Sequence, residues 1–550
     1  MAAVEDFEYG PVDSDVVDPC MSSTASENSN SVATLEELPQ AAPEVKDEEH
    51  TYGQILRSTA LVGGSSVVNI AMGIVRTKAM AMLLGPAGFG LFGLYGSISN
   101  LVQSIAGMGV NSSGVRQIAE AVGSGDTDRI ARTAAVLRRT SILLGLLGAA
   151  LLIVFSRQIS TITFGTNQHA AAVSLLAAAV FFTLVSGGQG ALIQGMRRIA
   201  DLAKMGVLGA LFGTLLTIAL VYFLREKGVV PSLVAVAAMT ILTSWWYSRK
   251  VRIHSVPITA SQMGQEAAGL LKLGFAFMAS GMMMMGNAYV VRIIVVHKLG
   301  LEATGLYQSA WTLGGLYVGF ILQAMGADFY PRLTASASDN AKCNRLVNEQ
   351  ARISLLLAGP GVIATLTFAP LVMAVFYSAK FAAAVGILRW ICLGATLQVI
   401  SWPMGFIMVA KGARGLFFWS ELAWAVVSVG LAWTSIQYFG LNGTGIAFFG
   451  SYIFHGFLTY AIVRRLSRFR WSSANKQTGA LFLSAIATVF GGFYLLPLVW
   501  AATVGIAAVL LSGTYSIRVL SKLVPLHEIP RPLRRMVSCF GLVSPEPFDC

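Results

Sequence analysis

Four basic side chains, Arg76, Lys78, Arg292 and Arg389, fall inside stretches that are otherwise apolar, and one clear acid, Glu421, accompanies them. A base at the centre of a bilayer costs about 2.5 to 3.5 kcal/mol on the insertion scale, so an intramembrane charge marks a functional position by default. Guanidinium groups meet phosphates with two parallel hydrogen bonds, which makes an anion the natural ligand. Bond-making chemistry has no comparable candidates. The sequence holds no nucleophile-base constellation, no metal-ligand spacing and no GxxxxGK(S/T) phosphate loop. Gly88-x-Gly90-x-x-Gly93 opens an apolar helix without the preceding strand that a dinucleotide site requires.

Depth separates the four bases. Arg76 lies nine residues before Gly85 and Arg292 eight before Gly300, each glycine ending an apolar run. At about 1.5 Å per residue both sit roughly 12 to 14 Å below the outer surface, near the midplane. Lys78 is about 200° round the helix from Arg76, so the two cannot share a face. Arg389 enters from the outer end of its segment, and snorkelling accounts for it and for Lys78 as readily as a ligand does. Asn69 and Asn287, with Gln103 and Gln323, suit sugar hydroxyls or hydrogen bonds between helices. Glu421 is either a proton-titrating group or the partner of Arg414; His455 is either a relay or a hydrogen-bonded core residue.

These residues need helices to hold them. With 55% apolar and 12% charged side chains and a mean hydropathy of +0.66, the chain has the composition of a polytopic membrane protein. Fourteen segments are predicted to span: 57–84, 89–113, 140–162, 170–194, 204–224, 229–247, 271–296, 303–327, 353–377, 383–409, 416–437, 441–463, 478–497 and 499–517. The last pair is interrupted by Pro497. Loops of one parity carry 21 Lys and Arg, those of the other five, which places the first set and both termini in the cytosol. Residues 1–50 hold thirteen of the 27 acids against one base, Lys46, and read as a disordered tail. Residues 525–550 form a basic cytosolic tail suited to anionic headgroups. The chain opens with neither a basic n-region nor an apolar h-region, so no cleaved signal peptide is expected. The five cysteines form no CxxC pair, and no disulfide framework is expected.

The chain repeats itself. LLGPAGFGLFG, from Leu83, returns about 215 residues later as KLGLEATGLYQ, from Lys298, so Gly85, Gly90 and Phe92 answer to Gly300, Gly305 and Tyr307. The period covers six helices, an even number, so the halves share one orientation. This divides the chain into a first lobe over 51–250, a second over 251–465 and an added helix pair over 466–524.

The run LLGPAGFGLFGLYGSISNLVQSIAGMGVNSSGVRQIAE, residues 83–120, resembles the first hairpin of the polysaccharide-transporter branch of the multidrug/oligosaccharidyl-lipid/polysaccharide (MOP) exporter superfamily, the O-antigen or Wzx-type flippases. The resemblance covers residues from about 52 to 465 and implies an all-α, V-shaped, MATE-like fold of two six-helix lobes. It implies inner-leaflet to outer-leaflet transfer of a polyprenyl-diphosphate-linked oligosaccharide across the inner (cytoplasmic) membrane, driven by an ion gradient and without a cofactor. The family's cationic cavity would fall on Arg76 and Arg292, with Lys78 and Arg389. Membrane lipids and polysaccharide polymerase or chain-length machinery are the implied partners. The acidic tail and the added helix pair depart from the pattern; lipid II flippases share the fourteen-helix count. A multidrug exporter of the same superfamily is the alternative, disfavoured because cationic drugs call for acidic cavities. A membrane glycan polymerase or ligase is another, disfavoured because every predicted outer loop is short. A scaffold recruited through the acidic tail is a third.

Overall fold

A computed structural model describes residues 46–251, 253, 257 and 259–523; side chains are described from Gly64 onward except at 260, 273, 276, 277, 279, 280, 317, 320 and 323–328. The expected disordered tail lies outside the described residues as far as 45, and from Lys46 the chain is helical. The basic tail over 525–550 also lies outside them. The chain divides into Met1–Ile55 and Leu56–Cys550, and every side-chain contact below belongs to the second unit.

Among the described residues every regular element is helical. The first repeat runs α1 (Lys46–Gly107), α2 (Val110–Gly123), α3 (Thr127–Val154), α4 (Ser156–Phe164), α5 (Ala170–Gly195), α6 (Ile199–Leu224) and α7 (Val229–Ser248). The second runs α8 (Ala260–Ala335), α9 (Asn340–Thr367), α10 (Ala369–Phe376), α11 (Ala384–Ala410), α12 (Arg414–Phe439) and α13 (Gly443–Ser467). Two more follow, α14 (Ser473–Leu495) and α15 (Leu498–Leu523), with Pro497 in the short turn between them. Nine stretches, or ten counting the bent pair α9–α10, are long and apolar enough to cross a membrane among the described residues. Four of the nine, at 44, 50, 36 and 54 residues, exceed what one crossing needs, so the number of crossings is larger than the number of stretches. This is a multi-pass membrane protein.

The duplication reaches individual torsion angles. Asp126 and Asp339 cap α3 and α9 in the same way, each side chain accepting two backbone N–H bonds from the first turn. The Arg129 and Asp128 amides hold the Asp126 carboxyl below the usual carboxylate range. Phe155 (φ −93°, ψ 11°) bends the chain after α3, and Phe368 (φ −92°, ψ 18°) bends it after α9. After α6 stands Arg225 and after α12 stands Gly440, both at φ 53°, ψ −131°, a region glycine tolerates and arginine does not. The backbone geometry is inherited even where the glycine is not.

Both long helices are hairpins without loops. Gly85 (φ 67°, ψ −172°) breaks α1 and Gly300 (φ 86°, ψ 179°) breaks α8, and Pro86 opens the returning arm of α1 where no amide is needed. Each hairpin then packs on the other repeat. Phe89 of α1 sits edge-on to Tyr377 and Phe381, at 5.4 and 5.9 Å between ring centroids. Tyr289 of α8 shares a hydrogen bond of 2.6 Å with Thr163 of α4. The largest core cluster accordingly joins Met80, Ala81 and Phe89 of the first repeat to Val295, Tyr307 and Ile387 of the second.

α14 and α15 lie along α9. Phe482 packs on Gly359, Gly505 on Thr367, and Asn475 donates to the Asn348 carbonyl at 2.7 Å. Lipid tails are as apolar as leucine, so close approach at small residues and polar contacts hold such helices together. Cys343 and Cys392 are buried free thiols.

Candidate functional site

The two hairpins meet at matched glycines. A methyl group built on Gly90 would lie against the Leu301 carbonyl and 2.9 Å from the Gly305 nitrogen. One built on Gly305 would lie against the Pro86 carbonyl and 2.9 Å from the Gly90 nitrogen. Leu301 answers to Pro86 as Gly305 answers to Gly90, so the contact is reciprocal. The backbones touch here because neither residue has a side chain. Toward the opposite end of the hairpins Gly109 and Gly274 are equally close, each against the backbone carbonyl of the other's segment. The seam between the repeats is therefore shut at both points.

Arg292 sits beside this seam, 7% exposed. Its Nε donates to Gln308 Oε1 at 2.7 Å and its Nη1 to the Ala288 carbonyl at 2.9 Å, both on α8. Gln308 in turn donates to Thr312 at 3.2 Å and stands opposite Gly93 of α1. Two of the guanidinium's five donors are thus held by dipoles of its own hairpin, and among the described residues no carboxylate pairs with it. Arg76 is treated differently. It lies one turn from Met80, on the stripe of α1 that enters the core shared with the second repeat. Among the described residues it has no hydrogen bond or ion pair. The repeats differ here in two ways: Thr77 stands where Arg292 does, with Arg76 one residue before it, and Gly93 stands where Gln308 does, so the first repeat has no amide at that position.

The remaining predicted residues are distributed around these two. Lys78 shares its stripe with Val75 and Met82, which are 49% and 61% exposed, so it follows the outer surface and not the seam. Arg389 lays its guanidinium 3.8 Å from the centre of the Phe493 ring, a cation–π contact with α14. Asn287 donates to Ser428 of α12 at 3.3 Å, and Asn69 stands beside Gly206 of α6; the amide oxygen of each is buried without a partner. Gln103 bonds Ser99 within its own helix. The side chain of Gln323 lies outside the described residues.

Glu421 and His455 come together. Glu421 Oε1 is 3.5 Å from His455 Nε2, across α12 and α13, and the His455 ring also reaches Ser401 of α11 at 3.4 Å and Thr459 at 3.5 Å. The imidazole side chain is 6% exposed and the carboxylate 28%, so the pair lies just below the surface of the second repeat. Among the described residues Glu421 meets His455 and not Arg414.

Three comparisons bear on what this arrangement is. The model of the polysaccharide biosynthesis protein family matches residues 79–386, more than half of the chain. The chain belongs to that family. The lipid III flippase of Escherichia coli (strain K12) is 19% identical over 400 residues, 72% of this chain and 95% of that protein. Among solved structures, a multidrug resistance MATE family transporter of the MOP superfamily in an inward-facing conformation superposes with a TM-score of 0.61 at 18% identity, covering 75% of this chain and 96% of that one. Lipid II flippase MurJ in an inward closed conformation also gives 0.61, at 13% identity, covering 84% of this chain and 99% of that one. The fold is that of the MOP superfamily.

As a polysaccharide biosynthesis family member, the chain carries Arg292 and Gln308 inside the matched segment, while Arg76, Lys78, Arg389, Glu421 and His455 fall outside it. The roles of those five rest on their geometry alone. Sequence reasoning missed Gln308, although the exchange of Gly93 for Gln308 between otherwise similar repeats was the available signal. It also weighed Glu421 and His455 singly, because nothing in a linear chain says which faces of α12 and α13 meet.

Proposed function

We propose that this protein is a flippase which carries a polyprenyl-diphosphate-linked oligosaccharide, an O-antigen or exopolysaccharide repeat unit, across the cytoplasmic membrane by alternating access. The observation that carries the reading is Arg76, one turn from Met80 of the core that joins the repeats, with no hydrogen bond or ion pair among the described residues. A diphosphate supplies the charge and the paired acceptors that this group lacks. Arg292 adds positive potential from the facing hairpin, and the unpartnered amide oxygens of Asn69 and Asn287 suit hydroxyl donors on a sugar. Lipid-linked substrates in the names of the E. coli relative and of one structural neighbour favour the same class. Chain-length and polymerase machinery would receive the product on the outer face.

In this reading both termini are cytosolic, as the basic loops require. The headgroup enters from the cytosol, pairs with Arg76, and leaves when the contact at Gly90 and Gly305 parts; the prenyl chain stays in lipid. Glu421 and His455 couple the cycle to an ion gradient, since a carboxylate beside an imidazole can exchange a proton as the second repeat moves. The test is transfer of a fluorescent polyprenyl-diphosphate oligosaccharide in proteoliposomes. Protein-dependent transfer that is lost on joint charge reversal of Arg76 and Arg292 is the expected result, and transfer unchanged by that reversal would overturn the reading.

A further inference from the structure

A second basic site lies away from the seam. A pocket of about 450 Å³ opens among α3, α5 and α7 at their basic ends, lined by Arg138, Arg139, Arg249, Trp245, Gln189 and small residues such as Ala135. Among the described residues no acidic side chain lines it. Arg249 is stacked on the Trp245 ring at 4.5 Å, which holds one guanidinium at the rim. Among the described residues no carboxylate pairs with any of the three arginines. Trp245 and Trp246 are 41% and 62% exposed, the placement of indoles at a membrane interface.

The second repeat shows what such a groove normally contains. Ala131, Ala135 and Arg139 answer to Asn344, Asn348 and Arg352. There Asn344 is bonded to Ser467 at 2.8 Å, and Asn348 to the Arg470 carbonyl at 3.1 Å and the Ser472 amide at 2.8 Å. The segment leading into α14 fills the groove with protein. In the first repeat alanines replace the two asparagines and, among the described residues, three arginines surround the space.

We infer that this pocket binds the phosphate of an anionic phospholipid from the surrounding leaflet. The headgroup phosphate takes the guanidinium donors, the glycerol lies over the alanines, and the acyl chains descend along the exposed apolar face of α3, where Leu143, Leu146 and Leu147 point outward. The site serves to seat the first repeat against lipid where the second is seated against α14. It stands independently of the transport reading.

The test uses the full-length protein in neutral phosphatidylcholine nanodiscs, titrated with phosphatidylglycerol and read by native mass spectrometry. The combined Arg138→Gln, Arg139→Gln and Arg249→Gln variant should lose phosphatidylglycerol occupancy on the order of tenfold or more. The combined Arg464→Gln and Arg465→Gln variant, with charge removed from the second repeat, should stay within about twofold of the parent. Ala135→Phe fills the pocket without removing a charge and should also abolish retention; it decides the matter if the triple variant does not fold. Retention of phosphatidylglycerol by Ala135→Phe, or an equal loss in the Arg464 and Arg465 variant, would overturn the proposal. Displacement of the lipid by an equal concentration of inorganic phosphate would overturn the lipid source.

Discussion

Gly90 and Gly305 occupy the same station in the two repeats and lie against each other, each against the backbone that leads into its counterpart. The pseudo-twofold relation of the duplicated chain is thus visible as a single contact, and it closes the seam at the hairpin turns. A bulkier residue on either side has nowhere to go but into a carbonyl oxygen.

Gly90→Val and Gly305→Val should each cut transport at least tenfold while leaving insertion intact. Overpacking of about 1 to 3 kcal/mol falls on the state in which the hairpins touch and spares the state in which they part. Proteoliposome transfer measured beside expression level separates the two effects. Full transport by both valine variants would show that closure at this point is not part of the cycle.

The two midplane arginines should separate stability from transport. Gln308→Leu strips the Nε–H of Arg292 of its acceptor, at a cost of about 1 to 3 kcal/mol, and should lower the melting midpoint in detergent. Arg76→Gln breaks no recorded contact, so the midpoint should hold while transfer of the lipid-linked sugar is lost. Thermal melting and transfer assays on the two variants, side by side, check the division; a midpoint that falls for Arg76→Gln and not for Gln308→Leu would reverse the assignment.

Glu421→Gln and His455→Gln should each reduce the response of transport to an imposed proton gradient, since each removes one of the two side chains that meet across α12 and α13. Either change also weakens the 3.5 Å contact between them, so a double variant should resemble the singles instead of adding to them. Transfer rates with and without an imposed proton gradient provide the measurement. A parent-like response in both variants would remove the pair from the coupling step.

Arg225→Gly should stabilise the protein. Arg225 holds the torsion angles that Gly440 holds in the second repeat, and strain there amounts to about 1 to 3 kcal/mol, partly offset by the unfolded-state freedom of glycine. Among the described residues its side chain gives up one bond, the long 3.4 Å contact of the guanidinium with the Leu83 carbonyl. A melting midpoint raised by about 1 to 3 °C is expected.

How much of this was legible in the chain follows from what kind of fact each is. The hairpin breaks at Gly85 and Gly300 were readable because glycine and proline punctuate locally, and the duplication because it preserves that punctuation. Lys78 could be set apart from Arg76 by helical periodicity alone. The Arg292–Gln308 bond was not readable: the residues stand on opposite arms of a break whose closing angle no spacing encodes. Arg389 stays open in the sequence between a ligand and snorkelling; its guanidinium lies over Phe493, a contact no spacing encodes, because the docking of α14 on the second repeat has no signature in either helix. Pro497 cast doubt on the last two helices and proved to be the residue that turns between them.

The exchange of Gly93 for Gln308 has a consequence for how such a molecule can evolve. A duplicated chain begins with two identical hairpins, and in the second an amide now ties a guanidinium to both of its arms. Where one copy carries this internal tie and the other carries glycine, changes near Gly93 need not respect a bond that the second hairpin depends on, so the two halves are free to diverge at different rates.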